Sequence, residues 1–386
     1  MRRLIPILGI TFVDIIGFSI LIPMMPYFVV HFGASPFLVG VIIATFQICQ
    51  LLSAPVWGNV SDRIGRKAVL VTSQVGATIG WAMLAFAPTL PWVFAARIIE
   101  GVSGGNIGIT QAYVADLVAP KERARAFSYI GATFGAGMIF GPVIGGVLFA
   151  RYGFKAPFLA AAGFELLTLA LTLLFVPESR AKEERREHVG LRESLASFRK
   201  PAVARILVQR LALSLGLYGW YAVIALYLQR QLEFTLVRTD FYFAAFAVVS
   251  VFMNAGMVGT VSRRTGDRRM STLGLASLFV GFVLSAFVHS IAELVGVLLI
   301  FSFGSALAQN GITALISNAV REREQGTVLS TASSLDSLSG IIAPLVSTAL
   351  LGSAGSAFAG AASAVFALVA LVMGIGARRA APAAEP

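Results

Sequence analysis

Gly58-Asn59-Val60-Ser61-Asp62-Arg63-Ile64-Gly65-Arg66-Lys67 is the stretch that decides how this chain folds. Strongly apolar runs lie on both sides of it, 37–57 before and 68–87 after. Each can cross a bilayer as a helix, which takes about 20 residues. Two glycines (Gly58, Gly65) and four charges (Asp62, Arg63, Arg66, Lys67) are thus held in a short turn that sets two membrane-length helices antiparallel. Those charges must stay in water or find partners. The turn reads as a latch on the cytosolic side.

The composition agrees. Of 386 residues, 57% are hydrophobic and only 13% charged, whereas soluble domains carry about a quarter charged residues. The mean hydropathy is +0.82, and too little polar surface is left to cover the molecule in water. An all-α integral membrane protein follows, because only helices satisfy their own backbone groups segment by segment in lipid. The net charge of +11 would suggest nucleic acid in a soluble protein; here it reads as basic cytosolic loops, and no nucleic-acid partner is expected. A lone Cys49 excludes a disulfide framework or a cysteine metal site, and His31, His188 and His289 are too dispersed for a histidine one. No metal and no organic cofactor are expected. Met1-Arg2-Arg3 followed by an apolar run to Val30 is too long for a signal-peptide core and reads as a retained first span.

Twelve spans fit the chain: 4–30, 37–57, 68–87, 91–115, 127–150, 156–176, 203–228, 237–261, 271–290, 291–318, 327–352 and 355–377. One long polar stretch, rich in Lys, Arg and Glu, separates the sixth from the seventh. The domains expected are 1–177, a cytosolic linker 178–202, and 203–386. With the N-terminus in the cytosol, 23 Lys and Arg fall inside and four outside, so both termini are expected to be cytosolic.

The latch recurs in altered form about 201 residues on, as Gly259-Thr260-Val261-Ser262-Arg263-Arg264-Thr265-Gly266-Asp267-Arg268. Pro142 likewise corresponds to Pro344, 202 residues later. Two matches at nearly one offset indicate a parallel repeat of two six-span halves, with a substrate path expected between them near the midplane.

These residues resemble the major facilitator superfamily, and within it the twelve-span proton-coupled drug exporters, close to the tetracycline exporters. The latch is similar to the superfamily's loop signature. Arg97-Ile98-Ile99-Glu100-Gly101 resembles its intramembrane arginine motif, and Thr11-Phe12-Val13-Asp14-Ile15-Ile16-Gly17 the exporters' first span. Gly137, Gly141, Pro142, Gly145 and Gly146 match the helix motif associated with antiporters, and its role in blocking leak is what that resemblance implies. The fold implied is the major facilitator fold, 12 transmembrane helices in two pseudo-symmetric halves. In one place the pattern departs. Tetracycline exporters carry an acid after Gly-Ala-Thr-Ile in the third span, and Gly80 stands there.

Intramembrane charges are costly and functional by default. Asp14 lies about 16 Å into the first span at 1.5 Å per residue. Arg97 and Glu100 share one face of the fourth span, and Arg97 is expected to reach Asp14. Asp336 sits at mid-depth in the eleventh span with no basic partner on its own helix. Asp14, Arg97, Glu100 and Asp336 are the proton-coupling candidates. Glu165 in the sixth span is a weaker candidate, because the resemblance implies that this helix is peripheral. Candidate cavity residues are Phe18, Met25, Gln47, Gln50, Gln111, Arg210, Tyr218, Tyr221, Gln309 and Asn310, polar or adaptable side chains at helical spacing. At the latch, Asp62 is expected to pair with Arg66 and Arg125, and Asp116 with Arg63 or Arg66.

The resulting expectation is a monomeric proton-coupled antiporter of the bacterial inner (cytoplasmic) membrane. It would export small amphipathic or lipophilic compounds by alternating access, driven by the proton gradient. The alternative on the same fold is a flippase or exporter of a lipid, glycolipid, sugar or metabolite. No nucleophile–base set or nucleotide loop suggests an enzyme.

Overall fold

The computed structural model describes residues 4–104, 106–118, 122–178 and 197–375. Its first helices are α1 (Ile5–His31), α2 (Pro36–Ile64), α3 (Arg66–Ala85), α4 (Leu90–Ser103), α5 (Asn106–Leu117), α6 (Arg123–Tyr152) and α7 (Lys155–Phe175). Then come α8 (Pro201–Leu232), α9 (Leu236–Met253), a π-helical turn (Asn254–Val258), α10 (Gly259–Thr265), α11 (Asp267–Leu284), α12 (Ile291–Asn318), α13 (Glu322–Ala354) and α14 (Ala361–Ile375). There is no strand among the described residues.

Among those residues, ten helical segments are long and apolar enough to cross a membrane. The other two spans differ from the sequence expectation. The fourth is not one helix but two, α4 and α5, broken where Gly104 turns to an extended conformation (ψ 134°). Ser103-Gly104-Gly105-Asn106 holds poor helix formers together, and glycine in a helix interior is disfavoured by about 0.5–1 kcal/mol relative to alanine. Gly101, Gly104 and Gly108, at helical spacing in the sequence, therefore do not form one continuous face. The last span is the 15-residue α14, preceded by a short 3₁₀ turn, Ser356–Phe358.

The chain divides into two compact units, Met1–Arg186 with Phe234–Ala247, and Glu187–Glu233 with Val248–Pro386. Inside the first, α1 packs on α6 and α7, α3 on α7 and α4, and α2 on α4. Inside the second, α8 packs on α13 and α14, and α11 on α14 and α12. The same neighbours recur one repeat later.

Small residues let these helices touch. The backbone at Gly137 meets Ile15, that at Gly141 meets Ser19 and the Ile16 carbonyl, and that at Gly145 meets Ile20. The Ser19 hydroxyl donates to the Gly137 carbonyl at 3.0 Å. Those motif glycines thus hold α6 against α1. In the second unit, a Cβ at Gly274 would lie 2.3 Å from the Ala308 backbone nitrogen, and one at Gly304 would lie 2.8 Å from the Leu278 nitrogen. Backbone cannot yield as a side chain can. Gly274→Ala is therefore expected to force α11 from α12 and cost about 1–3 kcal/mol, the usual range for overpacking. A lowered unfolding temperature of the purified protein in detergent would register it; Gly296→Ala, which meets nothing within 4 Å, is the control.

Candidate functional site

Four ionisable side chains gather in the first unit. Arg97 and Glu100 lie one turn apart on α4 and form an ion pair, with side chains 6% and 5% exposed. The Arg97 guanidinium also lies over the Phe46 ring, 4.2 Å from its centroid, a favourable cation–π contact. Its Nε has no hydrogen-bond partner among the described residues. Gly80 makes room for this pair: a Cβ there would come within 2.3 Å of Glu100 Cγ. The glycine that departs from the tetracycline-exporter pattern is thus the seat of Glu100.

Asp14 on α1 pairs with Glu165 on α7. The two carboxyls share a hydrogen bond, Thr168 donates to Glu165 at 3.3 Å, and Glu100 is close enough to act on Glu165 electrostatically. This corrects the expectation for Glu165. The sixth span keeps an exposed apolar face at Leu166, Leu167, Leu173 and Leu174, yet α7 packs against both α1 and α3 and leaves Glu165 only 3% exposed. It also redirects Arg97, whose carboxylate partner is Glu100 on its own helix rather than Asp14. The signal for Glu165 was present as a lone acid in an apolar run; its inward rotation was not.

Charge counting then says what the cluster can do. A hydrogen bond between two carboxyls needs a proton, since an ionised carboxylate only accepts. One guanidinium faces three carboxyls, so the cluster holds two more acids than bases.

In the second unit, Asp336 on α13 does have a basic partner. Arg210 of α8 donates to both its carboxylate oxygens, at 2.9 and 2.7 Å, and the Ser214 hydroxyl donates to it as well. Arg210, expected among the cavity residues, is thus the partner of Asp336, and the Thr313 hydroxyl sits 3.5 Å away. Tyr218 is near enough to sense Asp336 and Arg210. Neighbouring α12 supplies Asn310, which donates to the Asn254 side chain at 2.9 Å. Asn254 opens the π-helical turn, a feature found often at functional sites.

Other candidate cavity residues are scattered in exposure. Phe18 and Gln111 are exposed, Gln47, Gln50, Tyr221 and Gln309 half-buried, and Met25 is buried in the packed interior of the first unit at 3%.

The latch is a turn at Gly65, whose φ of +104° favours glycine. A Cβ at Gly65 would also strike the Glu178 carboxylate, 2.2 Å from its Oε1. That carboxylate accepts from the Lys67 backbone N–H at 3.1 Å, while Lys67 Nζ donates to the Leu173 carbonyl at the end of α7, 2.8 Å away. Arg66 is buried and donates to the Ser61 hydroxyl at 2.9 Å, whereas Arg63 is exposed. Asp62, Asp116 and Arg125 lie on α2, α5 and α6, but their side chains are outside the described ones, and so are their expected pairings. The second copy turns at Gly266 with φ +76°. Arg268, one repeat after Lys67, donates to the Ile375 carbonyl at the end of α14, 3.0 Å away. In both units, then, a latch cation caps a helix C-terminus, where carbonyl charge favours it.

The sequence pattern of the Major Facilitator Superfamily matches residues 7–344, with a second match over 255–386. The chain belongs to the Major Facilitator Superfamily. It is 31% identical over 387 residues to the "Tetracycline resistance protein, class C" of Escherichia coli, covering 98% of this chain and 97% of that one. To the "Multi-drug resistance efflux pump PmrA" of Streptococcus pneumoniae it is 25% identical over 349 residues, 87% of this chain and 86% of the other. Among solved structures, the inward-facing, occupied form of a bacterial homolog to human lysosomal transporter Spinster superposes with a TM-score of 0.82 at 14% identity, over 96% and 95% of the chains. That likeness shows the fold. The superfamily member is a multi-span membrane transporter of small molecules and not an enzyme.

Proposed function

We propose that this transporter exports small amphipathic or lipophilic compounds from the cytosol in exchange for protons. It would do so by alternating access, as a monomer in the bacterial inner membrane with both termini cytosolic. The observation that carries the coupling is the hydrogen bond between half-buried Asp14 and buried Glu165, beside the Arg97–Glu100 pair. A cluster with more acids than bases can take up and give up protons as its surroundings change. The efflux role is supported by the tetracycline and multidrug pumps that the chain resembles over most of its length. In this reading Asp336 and Arg210 form the second unit's charged element. Gln47, Gln50, Tyr218, Tyr221, Gln309 and Asn310 supply hydrogen bonds to substrate, and Phe18 an apolar contact.

Reconstitution into liposomes with an acidic lumen tests it, with tetracycline and ethidium as probes. Protons leaving the lumen should draw a probe in through molecules whose cytosolic side faces outward, and nigericin should stop that uptake. Accumulation that ignores the pH gradient and follows sodium would overturn proton coupling. Failure of both probes beside a transported sugar or lipid would overturn the substrate class.

A further inference from the structure

The helix motif of α6 ends on Gly146, and something unanticipated sits on that glycine. Asp240, in the second turn of α9, is fully buried, at 0% exposure. Its Oδ2 would lie 2.9 Å from a Cβ at Gly146, and its Cγ 3.3 Å. The carboxyl therefore rests directly on the glycine backbone. Neither of its oxygens has a hydrogen-bond partner among the described residues.

Nearby polar groups are already committed. The Tyr27 hydroxyl, on α1, donates its one proton to the Phe234 carbonyl at 2.9 Å, and its oxygen meets the Thr239 hydroxyl at 2.8 Å. Tyr27 is the titratable group that faces Asp240 from α1, while α6 offers Gly146 and no charge at that level. Arg151 on α6 and Arg238 on α9 are both exposed. An ionised carboxylate in such a place, with neither cation nor donor, is among the least favourable of buried groups. A metal cation would need several oxygen ligands around it, and no metal-binding group of side chains exists among the described residues. A proton needs only the carboxyl itself.

We propose that Asp240 is a proton-binding site of the first unit, seated neutral against Gly146 and lost from that seat when it ionises. It differs from the Asp14–Glu165 pair in place and kind. Ile15 meets α6 at Gly137, and Gly146 lies nine residues farther along that helix, about 14 Å at 1.5 Å per residue. It is a single carboxyl, and its two states differ in packing of the start of α9 rather than in partner. The site stands whether or not protons drive export.

The experiment uses the full chain in lipid nanodiscs and reads protonation directly. Infrared spectra are titrated with pH for the native protein, Asp240→Asn and Gly146→Ala. In parallel, Ala244→Cys, buried one turn beyond Asp240 on the same face, is labelled with maleimide in a Cys49→Ser background. Labelling is corrected by a control Thr235→Cys at an exposed position. The native protein should show a protonated carboxyl band at neutral pH that Asp240→Asn lacks. Corrected labelling of Ala244→Cys should rise severalfold toward alkaline pH, and Asp240→Asn should hold it at the low level throughout. Gly146→Ala, whose methyl takes the carboxyl's place, should label at the high level even at neutral pH. An unchanged band in Asp240→Asn, the same pH-dependent labelling with and without Asp240, or labelling that follows sodium instead of pH would each overturn the proposal.

Discussion

Asp14→Asn is expected to leave downhill exchange of substrate intact while abolishing accumulation driven by a pH gradient. Asparagine can still hydrogen-bond Glu165, so the contact between α1 and α7 is kept; what is lost is a proton that can come and go. One unit of pH stores about 1.4 kcal/mol, a tenfold ratio, per proton exchanged. Native protein with one-for-one exchange should therefore sustain up to about a tenfold substrate gradient per pH unit, and the variant none. Glu165→Gln should weaken that drive in the same way, because Glu165 is the hydrogen-bond partner of Asp14. Concentrative uptake against counterflow in liposomes separates the two effects. Full pH-driven accumulation by Asp14→Asn would remove Asp14 from the coupling.

Glu100→Gln should be the most destabilising change in the first unit. Removing one member of a buried ion pair typically costs about 3–5 kcal/mol, since the other charge is left stranded. Arg97 has little else to turn to: its remaining named contact is the Phe46 ring, and its Nε is already without a partner. Apparent stability in detergent should fall steeply, while the double variant Arg97→Met, Glu100→Leu should recover much of it, as apolar replacements of buried pairs often do. That recovery should not restore export if the pair also serves transport. A single variant as stable as the native protein would show that Arg97 finds another anion, with Asp14 and Glu165 the nearest candidates. Gly80 lies under this pair, so Gly80→Asp would add a carboxyl where there is no space for one.

The departure at Gly80 shows where sequence and tertiary structure part company. From the sequence it is a missing acid; in the fold it is the space that Glu100 occupies. Glu165 teaches the same lesson from the other side, dismissed by the expected place of its span and then found facing α1.

What the sequence by itself determined about this protein is everything that acts along one segment. Apolar run length set ten of the spans, the 201-residue offset set the repeat, and glycines at 65 and 266 set both latch turns, at φ +104° and +76°. Hydropathy and backbone freedom are local quantities, so one strand of residues suffices to read them. Only the tertiary structure decided which charges meet: Asp14 with Glu165, Arg97 with Glu100, Arg210 with Asp336, and Asp240 with the bare backbone of Gly146. In lipid every face of a helix can be apolar, so hydrophobic pattern says little about its rotation. That angle is chosen by small residues that allow close approach and by the need of each buried charge for a partner.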